Sequence, residues 1–147
     1  MLGYIERGKQ EGARCLVGGG KADRPGFFVE PTLFVDVDPA AAIAQEEIFG
    51  PVLCVIPFED DDDAVRIANA SIYGLSGAVT SASTERALSV ARRVRTGTIS
   101  VNGGAWFHVD TPFGGYKQSG LGRENGTAGF EEYLETKVMA LPKPKEK

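Results

Sequence analysis

Apolar and polar positions along the chain alternate between two rhythms, one with a helical period and one extended. Leu2, Ile5 and Lys9 fall at helical spacing and predict a helix over Leu2–Gln10, with no capping residue in front of it. Ala13–Val17 is a short apolar run ended by Gly18-Gly19-Gly20, which predicts a strand and a turn. Phe27–Val37 reads as extended, with Pro31 marking an edge strand or an interruption because proline cannot donate to a ladder. Asp38-Pro39 reads as an N-cap and first helical position, predicting a short helix over Ala40–Gln45. Val52–Phe58 begins with an unbroken apolar run and predicts a buried strand.

The second half repeats the alternation. The acidic run Glu59–Asp63 lacks the alternating ligands and central glycine of a calcium loop. It reads instead as carboxylates stabilised by the free N–H groups of a helix start. That helix runs to about Asn69, with Ala64, Val65 and Ala68 facing inward. Leu75–Thr80 predicts a strand, and Ser83 caps an amphipathic helix with Ala87, Leu88, Ala91 and Val94 on one face. Arg92, Arg93 and Arg95 suit its C-terminal end, Gly97 stops it, and Thr98–Val101 is the next strand. Strands alternating with helices imply an α/β fold with a mainly parallel sheet. Thr136–Leu141 reads as a lone terminal strand in need of a sheet, which a partner subunit could supply.

Composition narrows the function classes. A chain of 147 residues, 42% hydrophobic and 24% charged, is an ordinary globular length and mixture. A net charge of -4 argues against nucleic acid, which requires a basic stripe. No run approaches the roughly 20 apolar residues that span a bilayer, and the N-terminus lacks a signal-peptide layout. These features predict a cytoplasmic protein. Cys15 and Cys54 form no C-x-x-C pair, and a single histidine, His108, gives little basis for a zinc site. The triplets Asn69-Ala70-Ser71 and Asn125-Gly126-Thr127 match the glycosylation pattern, but without an export signal they read as chance.

Three motifs tempt and are set aside. Gly120–Gly126 approximates a dinucleotide fingerprint but does not stand between a strand and a helix early in a βαβ unit. Tyr133 and Lys137 have Y-x-x-x-K spacing with no glycine-rich cofactor loop ahead of them. Gly115–Gly120 has P-loop spacing, with Leu121 where a phosphate-binding lysine must stand.

Two segments carry more. Glu46-Glu47-Ile48-Phe49-Gly50-Pro51-Val52 sets an acid and an aromatic beside a Gly-Pro turn leading into a strand. A carboxylate there can accept hydrogen bonds from two sugar hydroxyls, and a phenyl ring two residues on can wall a flat heterocycle. Asn102–Asn125 is rich in glycine, containing Pro112-Phe113-Gly114-Gly115-Tyr116-Lys117-Gln118-Ser119-Gly120 and Gly122-Arg123-Glu124. Such a stretch implies close backbone approach or positive φ and is entropically costly as a mere spacer. Together these segments resemble the C-terminal signature of the NAD(P)-dependent aldehyde dehydrogenase superfamily. Gly3-Tyr4-Ile5, Gly8-Lys9, Glu11-Gly12-Ala13, Phe27–Thr32, Tyr73-Gly74-Leu75, Gly97-Thr98-Ile99 and Tyr133–Lys137 extend the resemblance over the whole chain.

The resemblance implies a two-stage oxidation. A cysteine thiolate adds to the aldehyde, the hemithioacetal passes hydride to NAD or NADP, and water activated by a glutamate hydrolyses the thioester. It implies that Glu47 binds the ribose on the nicotinamide side and that Phe49 packs on the nicotinamide. Phe113 resembles the aromatic lining the aldehyde tunnel, with Trp106 and Phe107 in the variable loop before it; Asn102 braces that loop. Arg123 and Glu135 resemble subunit-contact residues, implying a homo-oligomer joined through the C-terminal strand. The resemblance assigns residues 1–125 to the later half of the catalytic domain. Residues 126–147 become a C-terminal helix, oligomerisation strand and tail. The bland alternatives are that Phe107 and Phe113 plug local core, that Trp106 is a surface residue and that Glu47 caps a turn.

The family's G-Q-x-C nucleophile segment has no counterpart here. Nor do the general-base glutamate, the oxyanion asparagine or the cofactor domain. Cys15 and Cys54 lie in apolar strands, where a thiol is an inert core residue with a raised pKa. The chain therefore reads as a truncated piece with no catalytic residue of its own and no metal, inactive alone and weak for NAD. The alternatives are an interaction module that docks on a full-length dehydrogenase subunit, or a relict truncated product.

Overall fold

The computed structural model describes residues 1–105 and 107–143. Two small sheets, each flanked by helices, share one chain. The first helix, α1 (Leu2–Gln10), buries Ile5 and Gly8 and packs against α2 (Ala42–Gln45). Between them lie β1 (Arg14–Val17) and β2 (Thr32–Val35), and β3 (Val52–Cys54) follows. The sheet order is β1-β2-β3, antiparallel in the first pair and parallel in the second. Cys15, Phe34 and Cys54 stand in one cross-strand row. Their inner face joins Ile5, Ala13, Val37 and Ile43 in the core, where Phe34 and Ile5 are fully buried.

Several sequence expectations change here. β2 is the central strand and not an edge, because Pro31 stands just before the first ladder residue and so withdraws no N–H from it. Helix α2 starts later than Asp38 predicts. The Asp38 carboxylate accepts from the Ala40 N–H (2.8 Å) in the preceding turn, while Glu11, distant in sequence, accepts from the Ala42 N–H (2.8 Å) at the helix start. β3 is shorter than expected and lies at a sheet edge. Leu53, Val55 and Phe58 are exposed, as are Leu16 and Val17 on β1, so this sheet has one bare apolar face.

The second sheet pairs β4 (Ser76–Val79) with β5 (Thr98–Val101), in parallel. Two of the three ladders are thus parallel, but no single sheet spans the fold. Helix α3 (Asp61–Asn69) starts where the acidic run predicts, with Asp60 accepting from the Asp63 N–H (2.8 Å). Val65 is buried, whereas Ala68 is exposed on the wall of a cavity of about 760 Å³ between α3, β4 and α4 (Thr84–Ala91). Ser83 caps α4 by accepting from the Arg86 N–H (3.2 Å), and Ala87 and Ala91 face inward while Leu88 is exposed.

The arginines beyond α4 do more than complement its dipole. Arg93 pairs with Asp62 (2.6 Å), and Arg86 on α4 grips both oxygens of Asp61. Asn69, the first residue of a glycosylation triplet, is a clasp: its side chain donates to the Arg93 carbonyl (2.9 Å) and accepts from the Arg95 N–H (2.7 Å). Asp61 is held below the usual carboxylate pKa by the hydrogen bond from Arg86. A depressed folded-state pKa contributes stability above the unfolded value, about 4, and loses it as pH falls through the folded value. The thermal midpoint should therefore fall on acidification below about pH 4, and the Asp61→Asn chain should be destabilised at neutral pH but match the parent once Asp61 is protonated.

The chain closes with a 3₁₀ turn over Lys117–Ser119 and α5 (Gly126–Glu131). Residues 134–143 run exposed and belong to neither sheet, so the predicted terminal strand has no ladder within the described residues. Among the described residues no helix is long and apolar enough to cross a membrane.

Candidate functional site

Two loops meet where the sheets adjoin. The first, 46–51, connects α2 to β3 and carries Glu47 and Phe49. The second is the glycine-rich strap from Asn102 onward. Glu47 is exposed and lines a cavity of about 440 Å³ together with Tyr73, Leu75, Gln118 and Ser119. Phe113 lines a neighbouring cavity of about 350 Å³ that shares Leu75 and Ser119. The two sequence segments singled out for chemistry are therefore brought to adjoining cavities. Phe49 stands at φ +53° with its ring 85% exposed and lines neither of these two cavities. A positive φ for a bulky residue is unusual, and it holds the ring out from the chain.

Close backbone approach explains the glycines of the strap. A Cβ at Gly97 would collide with the Gly114 carbonyl, which joins the strap to the start of β5. The strap is also sewn to the loop after α3. The Gly74 carbonyl accepts from Tyr116 (2.7 Å) and Gly97 (3.1 Å), Ile72 accepts from Gln118 (3.0 Å), and Ser119 Oγ accepts from the Gly74 N–H (2.9 Å). Lys117 Nζ donates to the carbonyls of both Asn69 and Ser71, each at 2.9 Å. Sequence reading missed Lys117; its place within a nominal P-loop spacing was no guide, because its role is set by carbonyls distant in the chain. Lys117→Met should cost about 1–3 kcal/mol, the scale of lost hydrogen bonds to a charged group, read as a lower urea midpoint at unchanged m-value.

Phe107 is largely exposed and meets Phe113 edge-on, with ring centroids 6.4 Å apart at 73°. Trp106 lies outside the described residues. Asn102, at φ +50°, braces the turn before α4, accepting from the Ser81 N–H (2.9 Å) and reaching Thr84 Oγ1 (3.5 Å). Arg123 donates to the Gly122 and Gly115 carbonyls and lies near the Tyr116 ring, at 5.5 Å from its centroid, so within the chain it staples the strap. Glu135 is exposed on the terminal segment.

The two thiols are poor nucleophile candidates. Cys54 Sγ lies 3.4 Å from the Ile43 carbonyl, and burial pushes its pKa up, disfavouring thiolate. Cys15 Sγ lies 3.4 Å from the Val17 carbonyl on the core side of β1. Among the described residues no three His, Cys, Asp or Glu side chains converge as a metal site would require.

Fold and site together define an α/β unit whose two loops frame an open cleft. The chain belongs to the aldehyde dehydrogenase family, matching it over residues 1–139. It is 52% identical over 138 residues to a 3-succinoylsemialdehyde-pyridine dehydrogenase of a Pseudomonas species, covering 92% of this chain and 29% of that protein. It is 46% identical over 142 residues to a betaine aldehyde dehydrogenase of Rhizobium johnstonii, covering 95% of this chain and 29% of the relative. The crystal structure of a Mycobacterium tuberculosis aldehyde dehydrogenase complexed with NAD+ superposes with a TM-score of 0.90 at 48% identity, over 96% of this chain and 29% of that one. A mutant aldehyde dehydrogenase C of Pseudomonas syringae, in complex with NAD+ and octanal, superposes at 0.87 with 49% identity, over 92% and 28% of the two chains. The chain thus spans under a third of the length of these relatives.

Proposed function

We propose that this chain is the C-terminal portion of an NAD(P)-dependent aldehyde dehydrogenase and forms one wall of its cofactor and aldehyde cleft. The observation that carries the reading is the placement of Glu47 and Phe113 in adjoining cavities that share Leu75 and Ser119. The bare apolar face of the first sheet supports it as well, since exposed Leu16, Val17, Leu53 and Val55 together make a surface that further protein would cover.

The residues present fit the nicotinamide end of a dinucleotide. Glu47 offers an exposed carboxylate that can accept from both hydroxyls of a ribose, and Phe49 offers an exposed ring to lie against a flat heterocycle. NAD(P)+, when bound, supplies the hydride acceptor. Phe113, with Phe107 edge-on to it, gives the aldehyde an apolar lining that disfavours water at the reacting carbonyl; Trp106, the remaining aromatic assigned to the substrate, lies outside the described residues. The nucleophile comes from outside this chain, because Cys54 is held as a thiol and Cys15 packs into the core side of its strand.

In this reading residues 1–125 belong to the catalytic domain and 126–147 form the C-terminal helix, oligomerisation strand and tail. Residues 136–141 add to a neighbouring subunit's sheet in a homo-oligomer, with Arg123 and Glu135 at the contact. The assembled enzyme is cytoplasmic. The exposure of Val138, Met139 and Leu141 (87%, 80% and 89%) favours a second reading, a non-catalytic module that docks on a full-length dehydrogenase through the same segment. Deleting residues 136–147 would abolish co-purification in that case.

The test is an NAD+ titration of the chain followed by amide chemical shifts. Shifts concentrated at Glu47–Gly50 and Gln118–Ser119, saturating in the millimolar range or above (a binding free energy of about -4 kcal/mol or weaker), are expected. Glu47→Gln should weaken them several-fold. Shifts confined to other regions, or none at high NAD+, would overturn the cofactor assignment.

A further inference from the structure

The loop that bears Glu47 and Phe49 is held from one side by a single helix. Glu46 ends α2 in extended geometry, with φ -111° and ψ 151°. One oxygen of its carboxylate accepts from the Tyr4 hydroxyl (2.8 Å) and the other from Arg7 Nη1 (3.2 Å), both donors on α1. Arg7 is itself fixed by Glu11 at the end of α1, through Nε at 2.8 Å, and Glu11's other oxygen caps α2 at the Ala42 N–H (2.8 Å). At the far end of the loop Met1 lies so close to Gly50 that any Cβ there would overlap its sulfur. The loop is therefore anchored to α1 at Glu46, and three residues on stands Phe49 in a strained positive-φ conformation.

Strain of that kind persists only where the surroundings over-determine the backbone. In extended backbone, consecutive side chains project to opposite sides. Pinning Glu46 against α1 thus fixes which way Glu47 is sent. The Tyr4 phenol is shifted above its ordinary pKa, chiefly by the hydrogen bond to Glu46, which is the expected mark of a donor engaged with a carboxylate.

We propose that Tyr4 and Arg7 are positioning residues that act through Glu46 to set the 46–50 turn, and with it Glu47 and Phe49, in the geometry that receives the nicotinamide riboside. The cofactor clause rests on the function proposed above; the mechanical clause does not. Tyr4 and Arg7 do not line the cavity of Glu47; Glu46 does, but both of its carboxylate oxygens are engaged by Tyr4 and Arg7.

The test uses the full 147-residue chain, with two independent readouts: the NAD+ titration, and hydrogen exchange at the amides flanking the turn, Glu46 N–H on the Ala42 carbonyl and Val52 N–H on the Gly50 carbonyl, each at 2.8 Å. Tyr4→Phe keeps the ring and removes only the donor, and Arg7→Met keeps the stem and removes the charge. In the double variant, exchange at the Glu46 and Val52 amides should rise about tenfold, the scale set by losing hydrogen bonds to a charged group. The thermal midpoint should move little, because these bonds are at the surface. NAD+ shifts at Glu47 should weaken in parallel. Glu46→Gln, which keeps an acceptor oxygen, should retain slow exchange, whereas Glu46→Leu should not; a merely space-filling role would not separate the two. If the double variant loses its fold, the Tyr4→Phe and Glu46→Gln/Leu comparisons decide.

Unchanged exchange at the Glu46 and Val52 amides in Tyr4→Phe and Glu46→Leu overturns the proposal. So does faster exchange with NAD+ binding at Glu47 fully retained, because the turn's geometry would then be irrelevant to the ligand. Faster exchange in a chain whose parent shows no NAD+ shifts at all supports the mechanical anchor and removes the cofactor assignment alone.

Discussion

The purified 147-residue chain should oxidise no aldehyde at a rate above the background without protein, with either NAD+ or NADP+. The expectation follows from the chemistry of its thiols. Covalent aldehyde oxidation needs a thiolate within reach of a carbonyl and a water-activating base. Cys54 is held as a thiol by burial and lies beside the Ile43 carbonyl, and Cys15 lies beside the Val17 carbonyl. Neither lines either of the cavities that receive Glu47 and Phe113. Spectrophotometric NAD(P)H production with a panel of short and long aldehydes is the assay. Replacing Cys15 and Cys54 by Ser should leave the null result unchanged. Turnover by the parent chain that survives both replacements would mean that some other residue acts as the nucleophile.

Phe34→Ala should unfold much of the population. Phe34 is fully buried in the central strand of the first sheet, between Cys15 and Cys54 in the cross-strand row. Its ring approaches Gly8 of α1, where an added Cβ would lie 3.3 Å from Phe34 Cζ, so it also seats the helix that anchors the 46–50 loop. Large-to-small changes of this kind cost about 3–5 kcal/mol, against about 5–15 kcal/mol for a whole ordinary domain. The margin here is narrow, because Phe34 and Ile5 are the largest of the fully buried side chains. Far-UV circular dichroism against urea should show a midpoint near zero denaturant. A midpoint shifted by less than the equivalent of about 1 kcal/mol would mean that the core is not centred on Phe34.

Much of the local structure was legible because it rests on short-range chemistry. The acidic run before α3 and Ser83 before α4 cap their helices as the sequence predicts, since a cap needs only a carboxylate or hydroxyl three residues from an N–H. Where the deciding partner is distant, the sequence misleads. Asp38 looks like the cap of α2, yet that role falls to Glu11 on another helix. Pro31 suggests an edge strand, but it stands outside the ladder, leaving β2 central. The apolar run from Val52 suggests burial, and the exposure of Leu53 comes from the lack of a neighbouring layer, which no local pattern records.

The same division applies to the site. Glu47, Phe49 and Phe113 are candidates through their motifs alone, and the fold puts Glu47 and Phe113 on the walls of adjoining cavities. The residues that hold these loops, Lys117 on the carbonyls of Asn69 and Ser71 and Tyr4 with Arg7 on Glu46, carry no motif signal. Their function is created by contacts between segments distant in the chain. The terminal segment was expected as a strand, but a strand is completed by its neighbour, and residues 134–143 have none among the described residues.

The central claim is that this chain is one wall of a larger catalytic cleft, and reading the coding DNA in frame upstream of the Met1 codon tests it most directly. The account predicts an open frame that encodes a Gly-Gln-x-Cys segment and, before it, a glycine-rich cofactor domain. A stop codon closing the frame immediately upstream would contradict it and leave the docking module or a relict truncated product as the surviving readings.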